Sequence, residues 1–127
     1  MQKVIIKTDK APLPVGPYNQ AVRIGDLIYT AGQIPLDAKS NQVIEGGITE
    51  QTELVIQHLK SILAAAGSSL EKSVKATVFL KDMNDFVAMN SVYARHFKAE
   101  TAPARSTIQV SRLPKDVLVE IELVAHI

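Results

Sequence analysis

The chain has no cysteine and no tryptophan, and only three tyrosines and three phenylalanines among its 127 residues. Without thiols there is no disulfide, no thiolate nucleophile and no thiolate metal site, and nothing suggests an oxidising compartment. Excess charge is also missing. Fourteen Lys and Arg against thirteen Asp and Glu leave a formal net of +1, which gives no basic field for nucleic acid or an anionic membrane. No window approaches the ~18 apolar residues of a membrane span. Met1–Lys7 has neither the apolar run nor the cleavage site of a signal peptide. The phosphate-gripping patterns GxGxxG and GxxxxGKS/T do not occur, and Gly16, Gly25 and Gly32 read as turn residues. His58, His96 and His126 share no ligand spacing, so no metal site is expected, and the first two should be exposed or half-buried on their helices. What remains is ordinary: 46% hydrophobic and 21% charged residues, one cytoplasmic domain over residues 1–127.

Val4–Lys7 reads as a short strand, followed by a loop stiffened by Pro12, Pro14 and Pro17. Ala21–Ile24 and Leu27–Ala31 flank Gly25-Asp26, a two-residue hairpin signal. The stretch from Gln33 to Gly47 is polar and turn-rich, with room for a short strand near Gln42–Ile44. Thr49 is a plausible N-cap for a helix carrying Val55, Leu59, Ile62 and Ala66 on one stripe and ending at Gly67. Val74, Ala76, Val78 and Leu80 alternate with Lys75, Thr77 and Phe79 as a strand. A second helix, capped by Asp82 or Asn84, places Phe86, Met89, Tyr93 and Phe97 on one side. The order β-β-β-α-β-α-β-β predicts an α+β fold, a mixed sheet with both helices on one face. No third layer is left for the other face, which is partly apolar and therefore a candidate subunit interface.

Arg105–Val110 and Val117–Ala125 read as a closing β-hairpin. Ile108 and Val110 form one apolar row, and Val117, Val119, Ile121 and Leu123 form another. Aligning both rows on one core puts Arg105 and Glu120 together on the opposite face. A guanidinium beside a carboxylate suits binding a small carboxylate and activating a water. Glu122 shares that face, and the pattern alone does not separate it from Glu120. Asn90 falls inside the apolar arc of the second helix, where an amide must find a partner or cost stability. Tyr18 ends the stiff Gly16-Pro17-Tyr18 loop, which would hold its phenol in place.

Six segments in order, Gly16-Pro17-Tyr18, Ala31-Gly32-Gln33-Ile34-Pro35, Val74–Phe79, Asn90-Ser91-Val92-Tyr93, Pro103-Ala104-Arg105-Ser106 and Leu113-Pro114-Lys115-Asp116, resemble the Rid/YjgF family of reactive-intermediate deaminases, also known as endoribonuclease L-PSP. The resemblance implies a chorismate-mutase-like α+β fold, a homotrimer with a site in each intersubunit cleft, and neither metal nor organic cofactor. It implies hydrolysis of 2-imino acids or their enamine tautomers (2-aminoacrylate, 2-iminobutanoate, 2-iminopropanoate) to 2-keto acids and ammonia. Such intermediates escape from pyridoxal-phosphate dehydratases, the implied functional partners. Arg105 matches the family's carboxylate-gripping arginine, and Glu120 rather than Glu122 the acidic residue near the attacking water. Tyr18, Ala31, Gly32, Asn90 and Thr107 match positions around the substrate.

Two positions depart from the common pattern. Ala31 stands where many members carry serine, and Thr107 where many carry cysteine. The missing serine hydroxyl removes a hydrogen bond worth roughly 1 kcal/mol. The resemblance also raises a ribonuclease that inhibits translation, and a non-catalytic trimer that binds small carboxylates or acts like a chaperone.

Overall fold

Alternating apolar residues and two amphipathic stripes fold as expected into six strands and two helices. A computed structural model describes residues 1–127. The elements run β1 (Lys3–Ile6), β2 (Ala21–Ile24), β3 (Leu27–Thr30), α1 (Ile48–Ala65), β4 (Ser73–Leu80), α2 (Phe86–His96), β5 (Ala104–Gln109) and β6 (Val119–His126). One mixed sheet of order β1-β2-β3-β6-β4-β5 carries both helices on one face, the α+β arrangement the pattern predicts. No helix is long and apolar enough to cross a membrane.

Local signals act where they stand. Gly25 opens the β2–β3 hairpin with φ +58°, a conformation that favours glycine. The first helix begins two residues earlier than Thr49 suggests. Gly47 is its cap, and the Glu50 carboxylate reaches back to accept the Gly47 N–H at 2.7 Å. At the other end Gly67 (φ +80°) closes a Schellman motif, with Ser68 N–H donating to Leu63 O at 2.8 Å and Gly67 N–H to Ala64 O at 3.0 Å. Neither Asp82 nor Asn84 caps α2 itself: its N-cap is Asp85, without a side-chain bond, and Asp82 caps the short turn before it by accepting the Asn84 N–H at 2.9 Å.

The core lies between the sheet and the helices. From α1 it takes Val55, Ile56, Leu59, Ile62 and Leu63, and from the sheet Ile28, Ala76, Val78, Leu80, Val119, Ile121 and Leu123. Full burial of each large aliphatic stabilises the fold by about 1.5–3 kcal/mol before entropy is charged against it. Val74, expected to share that face, is instead exposed. A bulge between Ser73 and Lys75 leaves it outside the ladder and turns Ser73 inward.

The closing hairpin does not form. Strand β5 pairs with β4 in parallel, Arg105 opposite Ala76 and Thr107 opposite Val78, while β6 runs antiparallel between β3 and β4. The connectivity explains this. The β4–α2–β5 segment is a parallel crossover unit that lays β5 on the outer edge of β4. The slot between β3 and β4 is then open to β6, whose two edges are both satisfied there. Ile108 accordingly faces away from the helices and is 44% exposed, the reverse of the expected core position.

Candidate active site

With β5 parallel to β4, Arg105, Thr107 and Gln109 share the helix-side face with Ala76, Val78 and Leu80. Glu120 and Glu122 lie opposite Phe79 and Thr77 on the open face. The expected pairing of Arg105 with Glu120 inside one chain is therefore wrong. The two candidate groups stand on opposite sides of the sheet, each in its own half-site.

The first half-site is built by α2 over the edge strand. Arg105 Nη1 donates to Asn90 Oδ1 at 2.7 Å, so the amide predicted to need a partner finds one in the guanidinium. The Arg105 Cζ lies 4.5 Å from the Tyr93 ring centroid and 5.6 Å from that of Phe86. Tyr93 is itself stacked on Phe97 at 4.2 Å. Burial pushes the Tyr93 phenol up in pKa, the Arg105 charge working against it, so the hydroxyl stays protonated. Tyr93 Oη and Thr107 Oγ1 are both buried without a hydrogen-bond partner. The chain's ion pairs, His96–Glu53 and Arg112–Asp116, leave the half-buried Arg105 without a carboxylate. Asn90 thus serves here by holding Arg105 in its own chain.

The second half-site is a cleft of about 640 Å³ on the open side, which gathers Tyr18, Ala31, Gly32 and Glu120. Leu13, Ile34 and Leu36 give it apolar walls, and Lys115 stands in its lining. Glu120 packs directly on the Gly32 backbone. A Cβ at that position would clash with Glu120 Oε2, so only glycine leaves the carboxylate its place. Burial, then the like charge of Glu122, pushes the Glu120 carboxyl above its usual pKa. A carboxylate with raised basicity, held in a cleft, can take a proton from water. Ala31 N–H is committed to Gln20 O at 2.8 Å. Tyr18 is half exposed, its loop closed by Tyr18 N–H donating to Gly16 O at 2.9 Å.

Two buried polar side chains to which the pattern assigned no part in the site, Gln20 and His58, brace the walls of this cleft. Gln20 Nε2 donates to Thr8 O at 2.9 Å and Pro12 O at 2.9 Å, and its Oε1 accepts Thr8 N–H at 2.8 Å, pinning the proline loop. His58, expected to be half-buried at most, is only 3% exposed, and its Nε2 lies 2.6 Å from Leu36 O. A carbonyl only accepts, so Nε2 carries the proton. No group of three or more His, Asp or Glu residues gathers in metal-binding geometry. The one signal for Tyr93 was its place on the Asn90 stripe; Gln20 and His58 gave none.

The whole arrangement has close relatives. The family model for endoribonuclease L-PSP matches residues 8–127. A RutC family protein of Pyrococcus abyssi is 52% identical over 126 residues, covering 99% of this chain and 98% of the relative. The crystal structure of RidA from the Antarctic bacterium Psychrobacter sp. superposes with a TM-score of 0.92 at 42% identity, covering 98% of this chain and 99% of that one. Escherichia coli TdcF, solved with bound serine, is similar to the same degree: TM-score 0.91, 41% identity, 98% of each chain.

Proposed function

The chain belongs to the endoribonuclease L-PSP (Rid) family, and from that premise we propose that it is a hydrolytic deaminase. Its substrates are reactive 2-imino acids and their enamine tautomers, such as 2-aminoacrylate, 2-iminopropanoate and 2-iminobutanoate, and its products are 2-keto acids and ammonia. The observation that carries this reading is the half-buried Arg105, whose charge has no carboxylate partner in the chain. Its remaining N–H groups suit a substrate carboxylate held at two points. The relative solved with serine binds a ligand that bears such a carboxylate.

The separated half-sites fit a site completed by a second copy. The open sheet face exposes Leu27, Tyr29 and Ile108, apolar surface that a neighbouring chain would cover. A heterologous contact, repeated and closed into a homotrimer, sets the Arg105 edge of one subunit against the Glu120 cleft of the next. Each intersubunit cleft then holds one complete site.

In that site Arg105 fixes the carboxylate and so orients the imine carbon. An enamine first takes a proton at carbon to become the protonated imine, the electrophile. Glu120 accepts a proton from a water as its oxygen bonds to the imine carbon, giving a carbinolamine. Glu120 returns that proton to the nitrogen, which leaves as ammonia, and then accepts the carbinol O–H proton as the C–O bond becomes the carbonyl of the keto acid. Tyr18 shapes the wall of the cleft. Ala31 in place of serine gives up one hydrogen bond without touching the carboxylate clamp. Thr107 keeps a hydroxyl beside Arg105. The chemistry draws on neither metal nor organic cofactor, since an imine carbon is already electrophilic. Pyridoxal-phosphate dehydratases, which release such intermediates, are the reactions that supply it.

RNA cleavage, the activity in the family's name, finds less support. It favours an acid–base pair near neutrality. The three histidines are engaged elsewhere, with Leu36 O, Glu53 and Ile127 O.

The direct test generates 2-aminoacrylate and 2-iminobutanoate in situ with a dehydratase and follows semicarbazone trapping. Wild type should divert the intermediate to keto acid, and Arg105→Ala should not. No diversion by wild type would leave a carboxylate-binding protein without turnover.

A further inference from the structure

We propose that Tyr93 is a positioning residue that fixes the plane of the Arg105 guanidinium, so that its free edge meets a carboxylate ready oriented. This rests on the reading of Arg105 as the carboxylate-binding group and assigns the reason it is rigid. A guanidinium on a flexible stem loses rotamer freedom whenever it binds. Here that freedom is already restricted on two sides. One edge is tied down by the 2.7 Å bond from Nη1 to Asn90 Oδ1. One face lies 4.5 Å above the Tyr93 centroid, within cation–π range. The ring beneath cannot turn, because Tyr93 is 6% exposed and stacked at 4.2 Å and 17° on Phe97. The remaining donors are therefore presented in one plane. The acting part of Tyr93 is its ring, over which the guanidinium carbon sits, while the buried hydroxyl beside Arg105 makes no hydrogen bond of good geometry.

The experiment compares binding of 2-oxobutanoate with that of 2-oxobutanamide, its uncharged counterpart, by calorimetry. Both are stable, so turnover is not needed. Wild type should prefer the acid, and Tyr93→Phe should keep that preference. Tyr93→Leu should weaken the acid about five- to tenfold and the amide little, as expected for loss of a cation–π contact. Because Tyr93→Leu could also fail to fold, a second series replaces Tyr93 by phenylalanine carrying successive ring fluorines, which drain the ring face of negative charge at nearly constant shape. Acid binding should fall stepwise along that series while amide binding stays level. A flat series, equal losses for both ligands, or a loss on Tyr93→Phe would overturn the proposal while leaving the clamp intact. A wild type with no preference for the acid would overturn the clamp and the proposal together.

Discussion

Arg105 and Glu120 stand on opposite faces of one sheet, with β4 between their strands. If both act on one substrate, no single chain can supply both. Subunits carrying Arg105→Ala and subunits carrying Glu120→Gln should each be inactive as pure oligomers. Refolded together in equal amounts, they should regain activity at about a quarter of their sites, the fraction in which an intact arginine edge meets an intact glutamate cleft. Activity measured against mixing ratio checks this, and a flat zero would place both groups in one chain's site.

Gly32 should tolerate no side chain without a loss of rate. Gly32→Ala drives a Cβ into the Glu120 carboxylate oxygen, which must move away. Such a shift at a reacting group costs roughly a hundredfold in kcat. The fold should stay intact, because the displaced atoms belong to the far end of a side chain. Kinetics together with a melting curve separate the two effects.

Glu120→Gln should slow turnover by roughly a hundredfold or more, as expected for a lost general base. The same change should raise the melting temperature at neutral pH. Glu120 has a folded-state pKa above its unfolded value, so the folded state holds that proton more tightly. Its ionisation therefore destabilises the fold as pH rises from the unfolded value through the folded one, and stays unfavourable above it. Glutamine removes the penalty. Wild-type kcat should correspondingly fall as pH drops through the raised Glu120 value.

His58 makes an acid-sensitive contribution of the opposite sign. Burial pushes its pKa below 6.5, partly opposed by the Leu36 carbonyl and by Asp37. The stability it supports is fully present above 6.5. Below that the unfolded chain takes up a proton the folded chain refuses, and stability falls as pH drops towards the folded value. His58→Gln, which keeps a donor for Leu36 O, should flatten the dependence of melting temperature between about pH 7 and pH 5.5. An unchanged slope would mean that another group controls it.

Much of this was legible in the sequence, and the part that was not has a physical reason. The β2–β3 hairpin, the bodies of both helices and the stop at Gly67 rest on short-range chemistry and stand where the pattern puts them, while the helix starts do not. Asn90 on an apolar stripe signalled a partner, and Arg105 is that partner. Alternation tells which residues share a face but not which strand lies next door, and the closing hairpin was lost there. The error began with Ile108, whose apolar side chain faces the open side. A firmer guide was the β4–α2–β5 order, which calls for a parallel crossover. The contact of Gly32 with Glu120 joins residues far apart in the chain and leaves no local trace.

The sheet's position between β3 and β4 is filled by β6, which follows all the other strands in sequence. Until Val119–His126 leaves the ribosome, β3 and β4 each lack one of their two neighbours, and the α1 core lacks Ile121 and Leu123. The nascent chain can assemble helices and the β1–β2–β3 meander but cannot join them to β4 and β5. Folding must therefore wait for the end of translation of this segment, with apolar strand edges open meanwhile.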